Sequence, residues 1–174
     1  MSDTFRQLGF AEGSSQNGLR RASKYAYEGD LSIDERTMMA IVRTAELLKK
    51  ELSKVFKNYG VTFAQYNALR FLGGSENGQN TMTNTSKIML VTGANLTGIA
   101  KRLERSGLLI RKSDPDDERV TVLEITPKGR QTLINISLEK DENLERFFSI
   151  YTDDEKSEMS ARLVKVIKQI STTK

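Results

Sequence analysis

VTGANLTGIAKRLERSGLLIRKSDPDDERVTVLEITPKGR, residues 91–130, sets a helix-patterned stretch directly before two apolar runs that are separated by a short charged turn. In its first part Leu96, Ile99, Ala100 and Leu103 recur at helical spacing, so one stripe of the helix is core. Thr92 stands just ahead of that periodicity as an N-cap, its hydroxyl placed to accept from a backbone N–H one turn in. The other face carries Asn95, Thr97, Lys101, Arg102 and Arg105, and Gly93, Ala94 and Gly98 leave little bulk near its start. A glycine inside a helix costs roughly 0.5–1 kcal/mol relative to alanine. Two of them call for a reason: tight packing of the helix, or close approach by another backbone or a nucleic acid.

The second part has the pattern of a hairpin. Leu108, Leu109 and Ile110 lead into Arg111 and Lys112, and Val120, Val122, Leu123 and Ile125 form the return run. Between them, residues 113–119 place Pro115 after Asp114, a turn composition. A hairpin after a helix of this kind has the outline of a DNA-reading unit, with the helix against base edges and the turn as a wing. Arg119 is the residue suited to a narrow groove where negative potential is focused, and Asp117 is close enough in sequence to hold its guanidinium. The plainer alternative is a solvated charged turn, whose exposed ion pairs are worth roughly 0–1 kcal/mol.

Four linked motifs now stand in order: QYNALRFLGG at 65–74, VTGANLTGIAKRLERSGLL at 91–109, DPDDER at 114–119 and LEITPKGR at 123–130. Together they resemble the MarR family of winged-helix transcriptional regulators. The resemblance implies a fold that is mainly α with a small β-hairpin wing: a winged helix-turn-helix core plus terminal dimerisation helices. It implies a homodimer on double-stranded DNA with a pseudo-palindromic operator, the helix opened by Thr92 in the major groove and the wing in the adjacent minor groove. It also implies release of DNA by a small effector, often aromatic or anionic, an acyl thioester among the possibilities. Two departures stand out. Only TSKIML separates Met82-Thr83-Asn84 from Val91, so the first helix of the helix-turn-helix is short, and Glu118 puts an acid beside Arg119.

On this basis Gly93, Ala94, Asn95 and Thr97 would approach bases, Asn95 being able to pair with adenine, while Lys101, Arg102, Arg105 and Arg111 would neutralise phosphate. Thr92, Asp117 and Arg119 complete the expected DNA-binding set. The effector pocket is expected between the dimerisation helices and the winged unit, where Phe63 and Tyr66 are candidates, though aromatics at helical spacing more often serve packing. A different class of function, a winged-helix adaptor for protein partners that has lost DNA reading, is favoured by Glu118 and the short helix. Lys101, Arg102, Arg105, Arg111 and Lys112 weigh against it, because the centre of a protein interface usually sheds lysine.

Composition is consistent with this. The 174 residues suffice for one domain with a sizeable core, and a formal net charge of +4 suits a nucleic-acid partner without proving one. With no cysteine and no histidine there is no thiol redox sensing, no disulfide and no thiolate or imidazole metal site. No cofactor, metal or catalytic residue is expected: Asp116–Asp117 and Asp153–Asp154 are acidic neighbours of the kind that face water, with no supporting motif. No apolar run approaches the roughly 20 residues of a membrane span. No membrane partner is expected, and the cytoplasm is the default location.

Outward from the centre, residues 1–30 form an expected mobile or partner-packed arm, with Arg20, Arg21, Lys24, Tyr25 and Tyr27 as a small basic and aromatic patch. Residues 31–174 are expected to be a single domain, with 31–60 and 127–174 as dimerisation helices and 61–126 as the winged helix-turn-helix. Met38, Ile41, Ala45, Leu48, Leu52, Val55 and Tyr59 give a heptad-like stripe over a helix at 34–58, which Ser32 and Glu35 would open as a capping box. GGSENGQN, following the next helix, is expected to be a loop. After the wing, Thr126 and Pro127 start a long helix, expected to be interrupted at 139–142, and Asp153 is expected to cap a last one.

Overall fold

The computed structural model describes residues 31–172. The expected arm and its basic and aromatic patch lie outside the described residues. Contact density divides the described chain between Glu46 and Leu47. Helix α1, Ile33–Asn58, opens with the capping box: Ser32 Oγ accepts from the Glu35 N–H at 3.2 Å and Glu35 Oε2 accepts from the Ser32 N–H at 2.9 Å. Its early apolar residues Met38, Ile41 and Val42 are exposed, whereas Leu52, Val55 and Phe56 are buried.

After Leu47, helix α2, Phe63–Gly74, starts at a second capping box made by Thr62 and Gln65 and buries Tyr66, Ala68, Leu69 and Leu72. A 3₁₀ turn, Glu76–Gly78, leads to strand β1, Gln79–Thr81. The sequence predicted only a loop here. Polar side chains hide this strand because backbone pairing holds it, with Gln79, Asn80 and Thr81 opposite Glu124, Leu123 and Val122. Thr81 then turns from strand to cap, its hydroxyl accepting from the Asn84 N–H at 3.1 Å to open helix α3, Met82–Ile88. At seven residues, α3 is as short as the sequence predicted.

Helix α4, Gly93–Arg105, begins at Thr92, whose hydroxyl accepts from the Asn95 N–H at 3.3 Å. Strands β2, Leu109–Ser113, and β3, Thr121–Ile125, pair antiparallel as the expected hairpin. The sheet therefore has three strands in the order β1-β3-β2 rather than two. Helix α5, Pro127–Phe148, is capped by Thr126 and runs unbroken through 139–142. The expected interruption is absent because Glu and Lys are good helix formers and a solvated charge run does not break a helix. Helix α6, Asp153–Thr172, is capped one residue earlier than predicted. Thr152 Oγ1 accepts from the Glu155 N–H at 3.3 Å and Glu155 Oε2 accepts from the Thr152 N–H at 2.7 Å. Asp153 instead sits in the first turn, where its charge suits the positive end of the helix.

The core gathers Phe56, Leu69, Leu96, Leu103, Leu123 and Ile136, all fully buried. It seats α4 and the base of the wing on α2 and α5 through one tight crossing. Gly129, in the first turn of α5, lies under the Leu108 carbonyl, and a Cβ there would collide with that backbone oxygen and come within 2.8 Å of Ile125 Cγ1. Gly129→Ala should therefore destabilise the fold by about 2–3 kcal/mol, since backbone cannot yield as a flexible side chain does. Denaturant unfolding checks this, and a midpoint equal to that of the parent protein would contradict it.

Candidate nucleic-acid interface

Helix α4 turns one stripe inward and the rest outward. With Leu96, Ile99, Ala100 and Leu103 buried, helical geometry places Ala94, Gly98, Lys101 and Arg105 on the opposite face. A Cβ built at Gly93 meets nothing within 4 Å, and one at Gly98 meets only Arg102 Nη2 at 3.4 Å. Of the two reasons for these glycines, tight packing on the chain's own fold finds no partner among the described residues. What remains is a helix surface open to close approach.

The other predicted residues fall around this surface. Thr92, Ala94 and Asn95 are exposed, and the Thr97 hydroxyl is turned back to donate to the Gly93 carbonyl at 2.9 Å. Lys101, Arg102 and Arg105 are exposed, with Arg105 Nε 3.4 Å from the Lys101 carbonyl. Arg111 is differently placed: its Nε and Nη2 reach one oxygen of Glu104 at 2.9 and 2.6 Å, tying β2 to α4. Hydrogen bonding from Arg111, reinforced by its charge, holds the Glu104 carboxyl below the usual carboxylate range. Lys112 is paired with Glu124 Oε2 at 2.6 Å. Neither acidic partner is visible in the sequence, because pairing across strands and from helix to strand depends on register.

At the wing tip the chain fastens itself locally. The Asp114 N–H donates to the Val120 carbonyl at 2.9 Å, and Asp114 Oδ1 accepts from the Asp116 N–H at 2.9 Å. Asp117 Oδ1 accepts from both the backbone N–H and Nε of Arg119, at 3.0 and 3.2 Å, as the sequence suggested. The Arg119 side chain is nonetheless 92% exposed. The Nε edge of the guanidinium is held while the side chain stays open to solvent.

Phe63 and Tyr66 both pack on Phe56, Tyr66 stacked at 4.1 Å between ring centroids and Phe63 tilted at 5.8 Å. Tyr66 also lines a cavity, of about 430 Å³, between α2 and α5, together with Arg70, Gly73, Arg130, Leu133 and Lys140 among others. Arg70 was within reach of the sequence, being four residues after Tyr66 and so on the same helical face. Arg130 and Lys140 come from α5 and carried no such signal.

Residues 59–120 match the model of the MarR family. The uncharacterized HTH-type transcriptional regulator YsmB of Bacillus subtilis is 25% identical over 122 residues, covering 70% of this chain and 82% of that protein. Among solved structures, Sco3205, a MarR family transcriptional regulator from Streptomyces coelicolor in complex with DNA, superposes with a TM-score of 0.75 at 20% identity, over 84% of this chain and 94% of that one. CouR from Rhodococcus jostii RHA1, bound to p-coumaroyl-CoA, gives 0.70 at 19% identity, over 79% and 95%. At such identities the structural likeness carries the fold.

The link between β2 and α4 can be checked through its titration. Glu104 has a folded-state pKa below its unfolded value of about 4.3, so the pair's contribution is present above that pH and is lost as pH falls through the lowered folded value. Arg111→Gln should move the Glu104 titration, followed by NMR, up toward the unfolded value. An unmoved titration would show that Arg111 is not what holds it down.

Proposed function

Because the chain belongs to the MarR family of winged-helix transcriptional regulators, we propose that it binds a pseudo-palindromic operator as a homodimer, acts as a repressor, and is released by a small effector. The observation that carries DNA reading is the outward face of α4, small at Ala94 and Gly98 and basic at Lys101 and Arg105, with the exposed Arg119 on the following wing. Gly93, Ala94 and Gly98 let the helix backbone come close to base edges, and Asn95 supplies the amide that can pair with adenine. Thr92 and Thr97 stand beside them, Thr97 with its hydroxyl engaged to the helix backbone. Lys101, Arg102 and Arg105 meet phosphate. Arg111, held by Glu104, serves first to brace the wing against α4 and contributes less free charge than the sequence suggested. The comparison with a DNA-bound structure of the same fold favours this over a protein-interaction adaptor.

Dimerisation is supported by apolar surface that the described residues leave uncovered. In α5 and α6, Ile134, Leu138, Val166, Ile167 and Ile170 are exposed, and no residue of α6 is buried. Between these helices lies an open groove of about 590 Å³ lined by Leu144, Phe148, Met159, Leu163 and Ile167 among others. A second copy covering this surface in an isologous two-fold contact is the economical use of it. The helices at 31–60 and 127–174 are the proposed dimerisation elements, flanking the winged unit at 61–126.

The effector reading rests on the cavity at Tyr66. An aromatic wall with Arg70, Arg130 and Lys140 suits an aromatic anion, and a relative of this fold holds an aromatic acyl thioester. Lys140 is partnered by Asp141, so Arg70 and Arg130 are the proposed anion partners, and Phe63 belongs to the packing behind Tyr66.

A gel shift on the DNA upstream of the protein's own coding sequence, repeated with aromatic acids and acyl thioesters, tests this. The expected result is a symmetric complex with two half-sites about one helical turn apart. Arg119→Ala should weaken it and flatten the salt dependence of log K by about one unit of slope. An unchanged slope would contradict the minor-groove role of the wing.

A further inference from the structure

Five of the described residues adopt positive φ: Gly60, Gly78 and Gly107, then Asn77, then Leu90 at +52°. Four are residue types that tolerate the left-handed region, and Leu90 is not, because its Cβ crowds its own carbonyl there. It stands in the turn of the helix-turn-helix. Its N–H donates to the Lys87 carbonyl at 3.2 Å and the next N–H, of Val91, donates to the Ser86 carbonyl at 3.1 Å. This pair of bonds closes α3 in the motif that ordinarily places glycine or asparagine at this position.

Packing does not compensate for the strain. Leu90 is 89% exposed, the most exposed of the large hydrophobic residues described, and Ile88 beside it is 54% exposed. The chain thus carries an unfavourable backbone conformation and an apolar side chain in water at one residue. That residue lies two positions before Thr92, where α4 begins. A bulky residue held out at such a cost points to a contact made outside the chain.

We infer that Leu90 is a DNA-contacting residue whose side chain packs on the C5-methyl group of a thymine at the edge of the major groove entered by α4. This rests on the DNA-binding role proposed above. Thymine methyl is the apolar group that base edges offer in the major groove, and a leucine has nothing to give phosphate. The surroundings fit DNA better than a protein partner. Lys87 is exposed in the last turn of α3, and the basic face of α4 follows immediately, whereas the centres of protein interfaces are depleted of lysine. Leu90 would then add a preference for thymine that the polar residues of α4 do not supply.

Leu90→Gly and Leu90→Asn both suit the left-handed turn while removing the apolar contact. Each should keep or raise the melting temperature and weaken operator binding about five- to tenfold, with an unchanged salt slope because no charge is moved. Replacing operator thymines singly by deoxyuridine should locate one position per half-site where loss of the methyl weakens the parent protein but not Leu90→Gly. Variants that bind like the parent protein, or the absence of any such coupled thymine, would overturn the assignment. Loss of melting temperature in both variants would also overturn it, by making the leucine structural. If the parent protein itself bound no DNA in the gel shift, the functional reading would fail and this contact with it.

Discussion

Burial of Leu96, Ile99, Ala100 and Leu103 is the constraint on which the interface depends. A helix locked along one stripe cannot roll, so the identity of its outer face is settled by the core. Each large apolar side chain fully buried stabilises by roughly 1.5–3 kcal/mol, far more than a surface contact could contribute to the same choice. The inward stripe meets Leu69, Leu108 and Leu123 in one cluster, so the sheet and α4 are fixed on a common base. What faces out is then small first and basic afterwards. Two glycines that weaken the helix locally are tolerated because packing, rather than propensity, holds it.

Electrostatics refines what packing sets. Glu104 with Arg111 and Glu124 with Lys112 draw cations of β2 toward the fold, while Lys101 and Arg105 stay on the outer face of α4. Asp117 restrains Arg119 without covering it. An arginine already partly oriented loses less freedom when it meets a groove, and the acid that orients it also tempers its affinity for phosphate elsewhere. Glu118 places a second acid beside Arg119 in the sequence. In the proposed complex with DNA, such a wing would discriminate by shape more than add unspecific attraction.

Legibility followed the range of the interactions involved. The α4 stripe, the Thr92 cap, the Asp117–Arg119 contact and the brevity of α3 are all local, and each was readable from a few adjacent residues. Strand β1 was not, because Gln79 and Asn80 carry no strand signal, one threonine is too little to make one, and the segment is held by pairing with β3 about forty residues on. The 139–142 charge run was misread as a break, although charged residues lie comfortably along a solvated helix face. Asp153 is the expected cap, but Thr152 takes that place through its reciprocal bonds with Glu155. The cavity at Tyr66 needed tertiary proximity of α2 and α5, and Leu90 needed a dihedral angle.

In the function proposed, the outer face of α4 is kept small for the approach of DNA rather than for the fold. Gly98→Leu separates the two, because a Cβ at Gly98 meets, among the described residues, just the end of the flexible Arg102 side chain. Melting temperature and operator affinity should be measured on the same preparation. The melting temperature should equal or exceed that of the parent protein, since leucine is the better helix former, while operator affinity should fall by about tenfold or more. Operator affinity left unchanged by a leucine in the middle of that face would show that DNA does not approach there.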